Sequence, residues 1–406
     1  MKLSKRVSDI SESMTLKLNA KAVQLTNEGR KIFNLTAGQL PFRPMSDFID
    51  GIKSESDFLK SYQYSPVPGY PELRTKLLNY FETSRGVSLK DCNYDCIVGN
   101  GGKHVISNIL ASIIDPEDEV VVITPFWVSY PEIINLYGGQ TVFVETSIYD
   151  AFVPNIEAIE KSITDKTKAI ILNSPNNPTG TSYSSEWMNQ FAELLKRHPD
   201  LYVISDEIYY ELSFFDPGPT YFYQQHPELL ERTIVVDGIS KNLACTGLRI
   251  GYCYGPKELI SAMSRLQGQT ASGANSLVQK ALISFDFSNI ERFLEPIKQH
   301  LRENANLLRD CLHDQSLGKI WYQPNSAFYY MIDFSQCPVM ERFKNSTDES
   351  EDYSIQICEE ILDKLGVAMV PGIAFGLPNS ARISLVSQKE DFREAMQLVV
   401  DYLTQS

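Results

Sequence analysis

A lysine and an aspartate follow two strand-like runs of the sequence and could form a catalytic pair. Asp206 follows the run 201–205, with Tyr209 three residues later, and Lys241 follows the run 233–238. A buried carboxylate needs a cationic or protonated partner. A lysine beside a buried strand end can act as an amine nucleophile if burial and neighbouring cations lower its pKa. The spacing therefore indicates a reactive amine held near a buried acid.

Two glycines follow the run 95–99, and they could bind an anion. Gly101 and Gly102 precede the helical pattern 102–114, and glycines at a helix N-terminus let backbone N–H groups approach a phosphate. The segment Asn-Gly-Gly-Lys is neither a Walker A loop nor a G-x-G-x-x-G fingerprint. Taken alone, it favours a plain turn over an anion site.

Aromatic, amide and cationic side chains follow further runs. Trp127 offers either core packing or a flat platform for a ring, and Asn177 lies in a turn made rigid by two prolines and a glycine. Arg249 stands eight residues after Lys241. Each feature alone has an equally good structural explanation. Together, a phosphate cradle, a ring platform, an acid, a tyrosine, a lysine and an arginine describe a pocket for pyridoxal phosphate.

The elements that must position these residues predict an α/β fold. Near-continuous apolar runs alternate with helical patterns, which indicates a mostly parallel sheet buried between helices. Sheets of this kind bind ligands beyond the carboxyl ends of their strands. The predicted strands are 95–99, 119–124, 140–145, 169–173, 201–205, 233–238 and 249–255, and the predicted helices between them include 102–114, 154–163 and 185–197.

The pattern changes near residue 275, which predicts a second, smaller α+β domain. We expect a large domain at 45–295 and a small domain formed by 1–44 together with 296–406. The segment 345–350 reads as a solvent-facing insertion. In the C-terminal part the predicted strands are 319–323, 327–332, 367–370 and 381–386, and the predicted helices are 353–365 and 390–403; an amphipathic helix is predicted at 16–29.

Composition excludes several classes of protein. The chain has 406 residues and a formal net charge of −14, which disfavours binding to nucleic acid. No run approaches the roughly 18 apolar residues of a membrane span, and the first residues lack the apolar core of a signal peptide. Seven cysteines without a Cys-x-x-Cys pair indicate neither disulfides nor a metal site. We therefore expect a cytoplasmic protein that binds no membrane and no metal.

Nine motifs in order resemble the class I aminotransferases, which are pyridoxal-phosphate enzymes of fold type I, and most of all their bacterial aspartate aminotransferase branch. The resemblance runs from about residue 14 to about residue 403. The motifs are YSPVPGYPELR (64–74), GNGGKH (99–104), PFWVSYPE (125–132), NSPNNPTG (173–180), SDEIY (205–209), GISKNLACTGLRIGY (238–252), NSAFYY (325–330), VPGIAFG (370–376) and ARIS (381–384).

The resemblance implies a role for each matching residue. Lys241 would be the Schiff-base lysine and the base of the proton shift, and Asp206 would keep the pyridine nitrogen protonated. Tyr209 and Asn177 would hydrogen-bond the phenolic oxygen of the ring, and Trp127 would stack on it. The residues that would bind the phosphate are Gly101, Gly102, Ser240 and Arg249, with Tyr64 supplied by the neighbouring subunit of a homodimer.

The substrate side implies a dicarboxylic amino acid. Arg382 would grip the α-carboxylate bidentately, with Gly38 and Asn177 beside it, and 2-oxoglutarate would be the amino acceptor. Lys103 would bind the distal carboxylate; otherwise it supports the phosphate loop or points to solvent. Where the family usually has Gly-Glu-Pro-Asp-Phe, this chain has Gly-Gln-Leu-Pro-Phe at 38–42, and this departure bears on specificity.

Several functions stay open on the sequence alone. An aromatic or broad-specificity aminotransferase is the nearest alternative, and a C–S lyase uses the same fold and cofactor. A regulator built on an aminotransferase-like domain would need a DNA-binding domain, for which the residues before Thr15 leave no room. The expected protein is an enzyme that converts amino acids and 2-oxo acids by a ping-pong mechanism.

Overall fold

The structure is a computed structural model that describes residues 4–8, 10, 14–344 and 352–405. The predicted insertion at 345–350 lies outside these residues. The strands are β1 (Phe33–Asn34), β2 (Tyr94–Gly99), β3 (Glu119–Ile123), β4 (Gln140–Val144), β5 (Thr167–Asn173), β6 (Tyr202–Asp206), β7 (Thr233–Gly238), β8 (Gly251–Pro256), β9 (Tyr329–Asp333), β10 (Val367–Ala368), β11 (Val370–Pro371) and β12 (Ser380–Ser384).

Helices cover most of the remaining described chain. The α-helices are α1 (Lys5–Ser8), α2 (Met14–Asn27), α3 (Ser46–Glu55), α4 (Pro71–Arg85), α5 (Gly102–Ile113), α6 (Ser129–Leu136), α7 (Ile156–Ser162), α8 (Ser185–Arg197), α9 (Phe222–Gln225), α10 (Ile239–Asn242), α11 (Lys257–Thr270), α12 (Ser276–Ser284), α13 (Ile290–Asp314), α14 (Met340–Lys344), α15 (Ser354–Leu365) and α16 (Lys389–Leu403). Short 3₁₀ helices include Thr246–Leu248 and Gly318–Ile320.

The central sheet has the strand order β2-β8-β7-β6-β5-β3-β4. Strand β8 runs antiparallel to both of its neighbours, whereas the pairs from β7 to β4 are parallel. Helices cover the sheet, so apolar residues on both faces of the strands are buried, as at Val203 and Ile204. The predicted α/β fold with a mostly parallel sheet is confirmed.

A smaller antiparallel sheet, β11-β12-β9, forms in the C-terminal part of the chain. The predicted strand 319–323 is wrong, since this segment begins with the 3₁₀ helix Gly318–Ile320 and pairs with no strand of the described chain. The side chain of Tyr322 in this segment explains the difference. The ring of Tyr322 stacks on Tyr330 with centroids 4.4 Å apart, and its hydroxyl donates to the carbonyl of Thr179 at 2.7 Å. Side-chain packing thus replaces strand pairing.

The N-terminal segment packs on the C-terminal part. Strand β1 pairs in parallel with β10, with Phe33 opposite Val367, and Lys31 forms an ion pair with Glu394 at 2.7 Å. These contacts show the expected packing of the N-terminal segment on the C-terminal part, while the division into domains at 44/45 and 295/296 stays a prediction. In the described part of the chain, we find no helix with the length and apolar character needed to span a membrane.

Candidate active site

A cavity of about 270 Å³ opens at the edge of the central sheet where β5, β6 and β7 end. Most of the residues that the sequence singled out line this cavity. They are Gly38, Gly102, Lys103, Trp127, Asn177, Asp206, Tyr209, Ser240, Lys241, Arg249 and Arg382. Segments far apart in the sequence therefore meet at one site, as expected for loops that follow parallel strands.

Lys241 lies on the short helix α10, directly after β7. Its Nζ donates a hydrogen bond to the carbonyl oxygen of Gly38 at 2.5 Å and lies 5.5 Å from the ring centroid of Tyr209. Burial, and after it the positive charge of Arg382, lower the pKa of the Lys241 amine to about 7. A large fraction of this amine is therefore uncharged near neutral pH, which makes it nucleophilic.

Asp206 is the last residue of β6 and is buried. Its Oδ2 accepts a hydrogen bond from the Tyr130 hydroxyl at 2.5 Å, and its Oδ1 accepts one from the Ile208 N–H at 3.3 Å. Burial raises the pKa of this carboxyl to about 6, against the opposing effects of Tyr130 and Lys241. The site thus holds an acid that a cationic ligand atom would keep ionised.

We expect the Asp206→Asn variant without cofactor to be more stable than the wild-type protein above pH 7. The folded-state pKa of Asp206 is raised from 3.8 to about 6, so its contribution to stability is fully present below 3.8 and is lost as the pH rises through 6. About two pKa units correspond to about 3 kcal/mol of unfolding free energy. Urea unfolding at pH 8 and at pH 4.5 measures the difference, which should shrink at the lower pH. A difference in unfolding free energy between variant and wild type that is the same at both pH values would contradict the raised pKa of Asp206.

The N-terminus of α5 is a candidate anion cradle. Gly101 precedes the helix with φ of 90°, a conformation that favours glycine, and a Cβ there would lie 2.5 Å from Nη2 of Arg249. The first turn of α5 contains no acidic residue. Free N–H groups at a helix start, next to a guanidinium, favour a phosphate. Ser240 lines the same cavity.

Arg382 lies in β12 and is 2% exposed. Its Nη1 donates to Oδ1 of Asn177 at 3.1 Å, and its Nη2 donates to the carbonyl of Thr36 at 2.9 Å. Its Nε is buried without a hydrogen-bond partner among the described residues. Since both acceptors are neutral, the guanidinium is free to pair with an incoming carboxylate.

Three aromatic side chains, those of Tyr209, Tyr329 and Trp127, also line the cavity. The Tyr209 hydroxyl lies 3.1 Å from that of Tyr329, whose ring also lies 4.4 Å from the Arg382 guanidinium carbon. On another side, Nζ of Lys103 lies 5.1 Å from the ring centroid of Trp127. The cavity therefore offers flat rings beside both the amine and the cations.

The charges of the lining residues are strongly unequal. Asp206 is the only carboxylate among them, whereas the cationic lining residues are Lys103, Lys241, Arg249 and Arg382. Such an excess of positive charge in a cleft favours a ligand that carries several negative charges. A phosphate and one or two carboxylates would meet that requirement.

Some contributions to the site do not follow from the sequence. Tyr130, Asn173 and Tyr329 lie in motifs already noted, yet nothing there assigned them a role; Asn173 donates to the Asp206 carbonyl at 2.9 Å. The carbonyl of Thr36 carries no sequence signal. Tyr64 is 93% exposed and does not line the cavity of its own chain, so its predicted contact with a partner subunit stays a prediction.

The family model described as aminotransferase class I and II matches residues 30–399. An aspartate/prephenate aminotransferase of Nitrosomonas europaea is 33% identical over 406 residues, covering 100% of both chains. One of Thermus thermophilus is 36% identical over 402 residues and covers 97% of each chain. The solved aspartate aminotransferase of Thermus thermophilus with maleate has a TM-score of 0.88 and 34% identity, covering 99% of this chain and 100% of that one.

Proposed function

Because the chain belongs to the class I and II aminotransferases, we propose that it uses pyridoxal phosphate to move the amino group of L-aspartate to 2-oxoglutarate. The central observation is that one cavity holds both the amine of Lys241, whose pKa is lowered to about 7, and the buried carboxyl of Asp206, whose pKa is raised to about 6. The guanidinium of Arg382 in the same cavity donates to neutral acceptors and keeps a buried Nε without a partner among the described residues, which supports a carboxylate substrate such as an amino acid. Relatives named aspartate/prephenate aminotransferase support the choice of amino acid.

The residues of the cavity fit pyridoxal phosphate. When bound, this cofactor bonds covalently to a lysine amine and withdraws electrons from the substrate Cα through its protonated ring. The cradle formed by Gly101, Gly102, Ser240 and Arg249 suits its phosphate, and Asp206 suits its ring nitrogen. Tyr209, Asn177 and Trp127 would contact the ring itself. The excess of cations over carboxylates among the lining residues supports this fit.

The chain's own residues supply binding, orientation and proton transfer. Arg382 holds the α-carboxylate, which fixes the position of the substrate Cα. Lys241 would take the Cα proton and hold it at Nζ, a task suited to an amine with a pKa of about 7. Gly38 accepts a hydrogen bond from this amine, while the nearby Thr36 carbonyl holds Arg382. One short segment thus contacts both groups that handle the substrate.

Lys103 supports a substrate with a second carboxylate. It lines the cavity, where burial, and after it the charge of Arg249, lower the pKa of its ammonium group. The Thermus thermophilus relative was solved with maleate, which is an unsaturated dicarboxylate with four carbon atoms, as many as aspartate has. Together these observations favour aspartate over amino acids with an aromatic or short side chain.

A single half-reaction tests the proposed function. Purified protein loaded with pyridoxal phosphate would be mixed separately with L-aspartate, L-tyrosine, L-alanine or L-cysteine, while the cofactor absorbance is followed. We expect aspartate to convert the cofactor to its amine form with an equal amount of oxaloacetate released. Conversion by tyrosine alone would indicate an aromatic aminotransferase. Pyruvate and ammonia from cysteine, without conversion by the others, would indicate a C–S lyase.

The Lys103→Ala variant tests the choice of substrate. A charge-assisted hydrogen bond contributes about 1.5–3 kcal/mol, so we expect the second-order rate constant of the half-reaction with aspartate to fall by about 10- to 150-fold. The rates with alanine and phenylalanine should change little, because these substrates have no distal carboxylate. Equal losses for all three amino acids would show that Lys103 serves the phosphate loop instead.

A homodimer with shared active sites is part of the proposal. The segment 58–64 exposes an apolar and aromatic patch, in which Leu59 is 74%, Tyr62 65% and Tyr64 93% exposed. Exposed patches of this kind are typical of protein interfaces. A monomer in sedimentation measurements would contradict this part of the proposal.

The seven cysteines are all free thiols, which supports a reducing compartment such as the cytoplasm.

A further inference from the structure

A buried arginine, Arg85, lies next to the ends of β6 and β7, outside the lining of the active-site cavity. Arg85 is the last residue of α4 and is 1% exposed. Its Nε lies 2.8 Å from Oε2 of Glu207, and its Nη2 lies 3.1 Å from Oδ2 of Asp237. The ring of Tyr210 covers the guanidinium carbon at 3.4 Å from the ring centroid. We call Arg85, Glu207 and Asp237 the strand tie.

The two carboxylates belong to the two strand ends that deliver the proposed catalytic residues. Glu207 directly follows Asp206, and Asp237 lies in β7 four residues before Lys241. The registered pairing of β6 with β7 stops at Asp206 and Val236. One further backbone bond joins the Glu207 N–H to the Val236 carbonyl at 2.9 Å. Beyond that point, the contacts of the Arg85 side chain with Glu207 and Asp237 link the ends of the two strands.

Each carboxylate is also fixed to its own surroundings. Glu207 accepts hydrogen bonds from Ser205 Oγ at 2.7 Å and from the Tyr223 hydroxyl at 2.8 Å. Asp237 accepts one from the Gly238 N–H at 2.7 Å. A planar guanidinium that bonds two fixed acids allows little relative movement between them. The strand tie therefore restrains the residue that follows Asp206 and the strand end that precedes Lys241.

We propose that Arg85 is a positioning residue that sets the placement of Lys241 relative to Asp206 by tying the ends of β6 and β7 together. This inference rests on the proposed roles of those two residues. A second contact from α4 supports it. Glu211 accepts a hydrogen bond from the Tyr80 hydroxyl and one at 3.2 Å from Nδ2 of Asn242, the residue next to Lys241. Helix α4 is thus linked to the chain before Lys241 directly, through Asp237, and to the residue after it indirectly, through Glu211.

The charges of the tie indicate why an arginine is needed. Glu207 and Asp237 are both buried, and the single cation of the tie must serve them both. Burial, and after it the charge of Glu211, raise the pKa of Asp237 well above its ordinary value. A lysine would offer one compact charge, whereas the guanidinium reaches both acids with separate N–H groups. The two bonds, and not charge alone, hold the strand ends.

A neutral triple variant, Arg85→Met/Glu207→Gln/Asp237→Asn, tests the proposal without leaving an unpaired buried charge. In the cofactor-free protein, we would measure the pH dependence of Lys241 acylation by mass spectrometry. Because burial is the main cause of its low pKa, looser placement should raise the midpoint by more than about 0.5 pH unit. In the holoenzyme, kcat should fall by about 10- to 100-fold with KM nearly unchanged.

A control variant and a conservative variant make the test specific. Arg74→Met/Asp95→Asn removes another ion pair of α4, in which Nη2 of Arg74 lies 2.5 Å from Oδ2 of Asp95. Asp95 lies near the beginning of β2. This control variant should change neither the midpoint of Lys241 acylation nor kcat. Arg85→Lys keeps the charge and should shift both in the same direction as the triple variant, by less. A wild-type midpoint and kcat in the folded triple variant, or equal shifts in the control, would overturn the proposal. If the wild-type holoenzyme does not transaminate, the proposed function fails, whereas the titration still tests the tie.

Discussion

The Lys241→Ala variant is expected to lose turnover with aspartate by at least about 10⁴-fold, the upper range for removing a general base. The loss should be this large because, in the proposed mechanism, one amine is both the attachment point of the cofactor and the base at the substrate Cα. Its low pKa, about 7, suits both tasks. The visible absorbance of the lysine-bound cofactor should disappear as well, and steady-state rates together with spectra measure the two effects.

A matched lysine variant separates this effect from a general loss of charge. Lys168 lies in β5 and is partly exposed, with its Nζ 3.9 Å from Oδ1 of Asp118. Lys168→Ala should keep the absorbance and the turnover of the wild-type enzyme. If Lys241→Ala still turned over at the wild-type rate, the assignment of the reactive amine would be wrong.

The Arg382→Gln variant is expected to lower kcat/KM for every amino acid by about 30- to 5,000-fold, since truncating one partner of a buried charge pair costs about 2–5 kcal/mol. The effect should not depend on the side chain of the substrate, because the α-carboxylate is common to all of them. This uniform loss distinguishes Arg382 from Lys103. Rates with aspartate, alanine and phenylalanine, measured side by side, give the comparison.

Two further arginine variants sharpen the test. Arg382→Lys keeps a positive charge but cannot form two parallel hydrogen bonds, so we expect it to recover only part of the lost rate. Arg265 is exposed on α11 and bonds Ser261 of the same helix, so Arg265→Gln should behave as the wild-type enzyme does. A loss in the Arg382 variant that is confined to aspartate would show that this arginine contacts the distal carboxylate instead.

The sequence predicted the central sheet well because its inner strands are buried on both faces and therefore carry nearly unbroken apolar runs. The residues at their carboxyl ends, Asp206 and Lys241 among them, could be recognised as a group for the same reason. The segment 319–323 misled the prediction, because aromatic and β-branched residues also suit irregular chain that is held by ring stacking.

Other contributions depend on tertiary packing that no local pattern reports. The Tyr130 hydroxyl bonds Asp206, yet a tyrosine in a helix reads as ordinary core. Arg85 ends α4, and a basic residue there is expected to interact with the helix dipole in solvent. Its burial becomes evident only when β6 and β7 bring two acids to it. Residue types also do not predict which backbone carbonyls accept hydrogen bonds in the site, as the carbonyl of Thr36 does from Arg382.

The contact between Arg382 and Thr36 joins residues 346 positions apart. A growing chain is made from its N-terminus, so the proposed α-carboxylate site cannot form until residue 382 has been synthesised. Lys241, Asp206 and the proposed phosphate cradle all come earlier in the chain. Under this proposal, an incomplete chain would contain the groups for cofactor attachment without the group that binds the α-carboxylate, and competence for catalysis would arrive as one of the last events of biosynthesis.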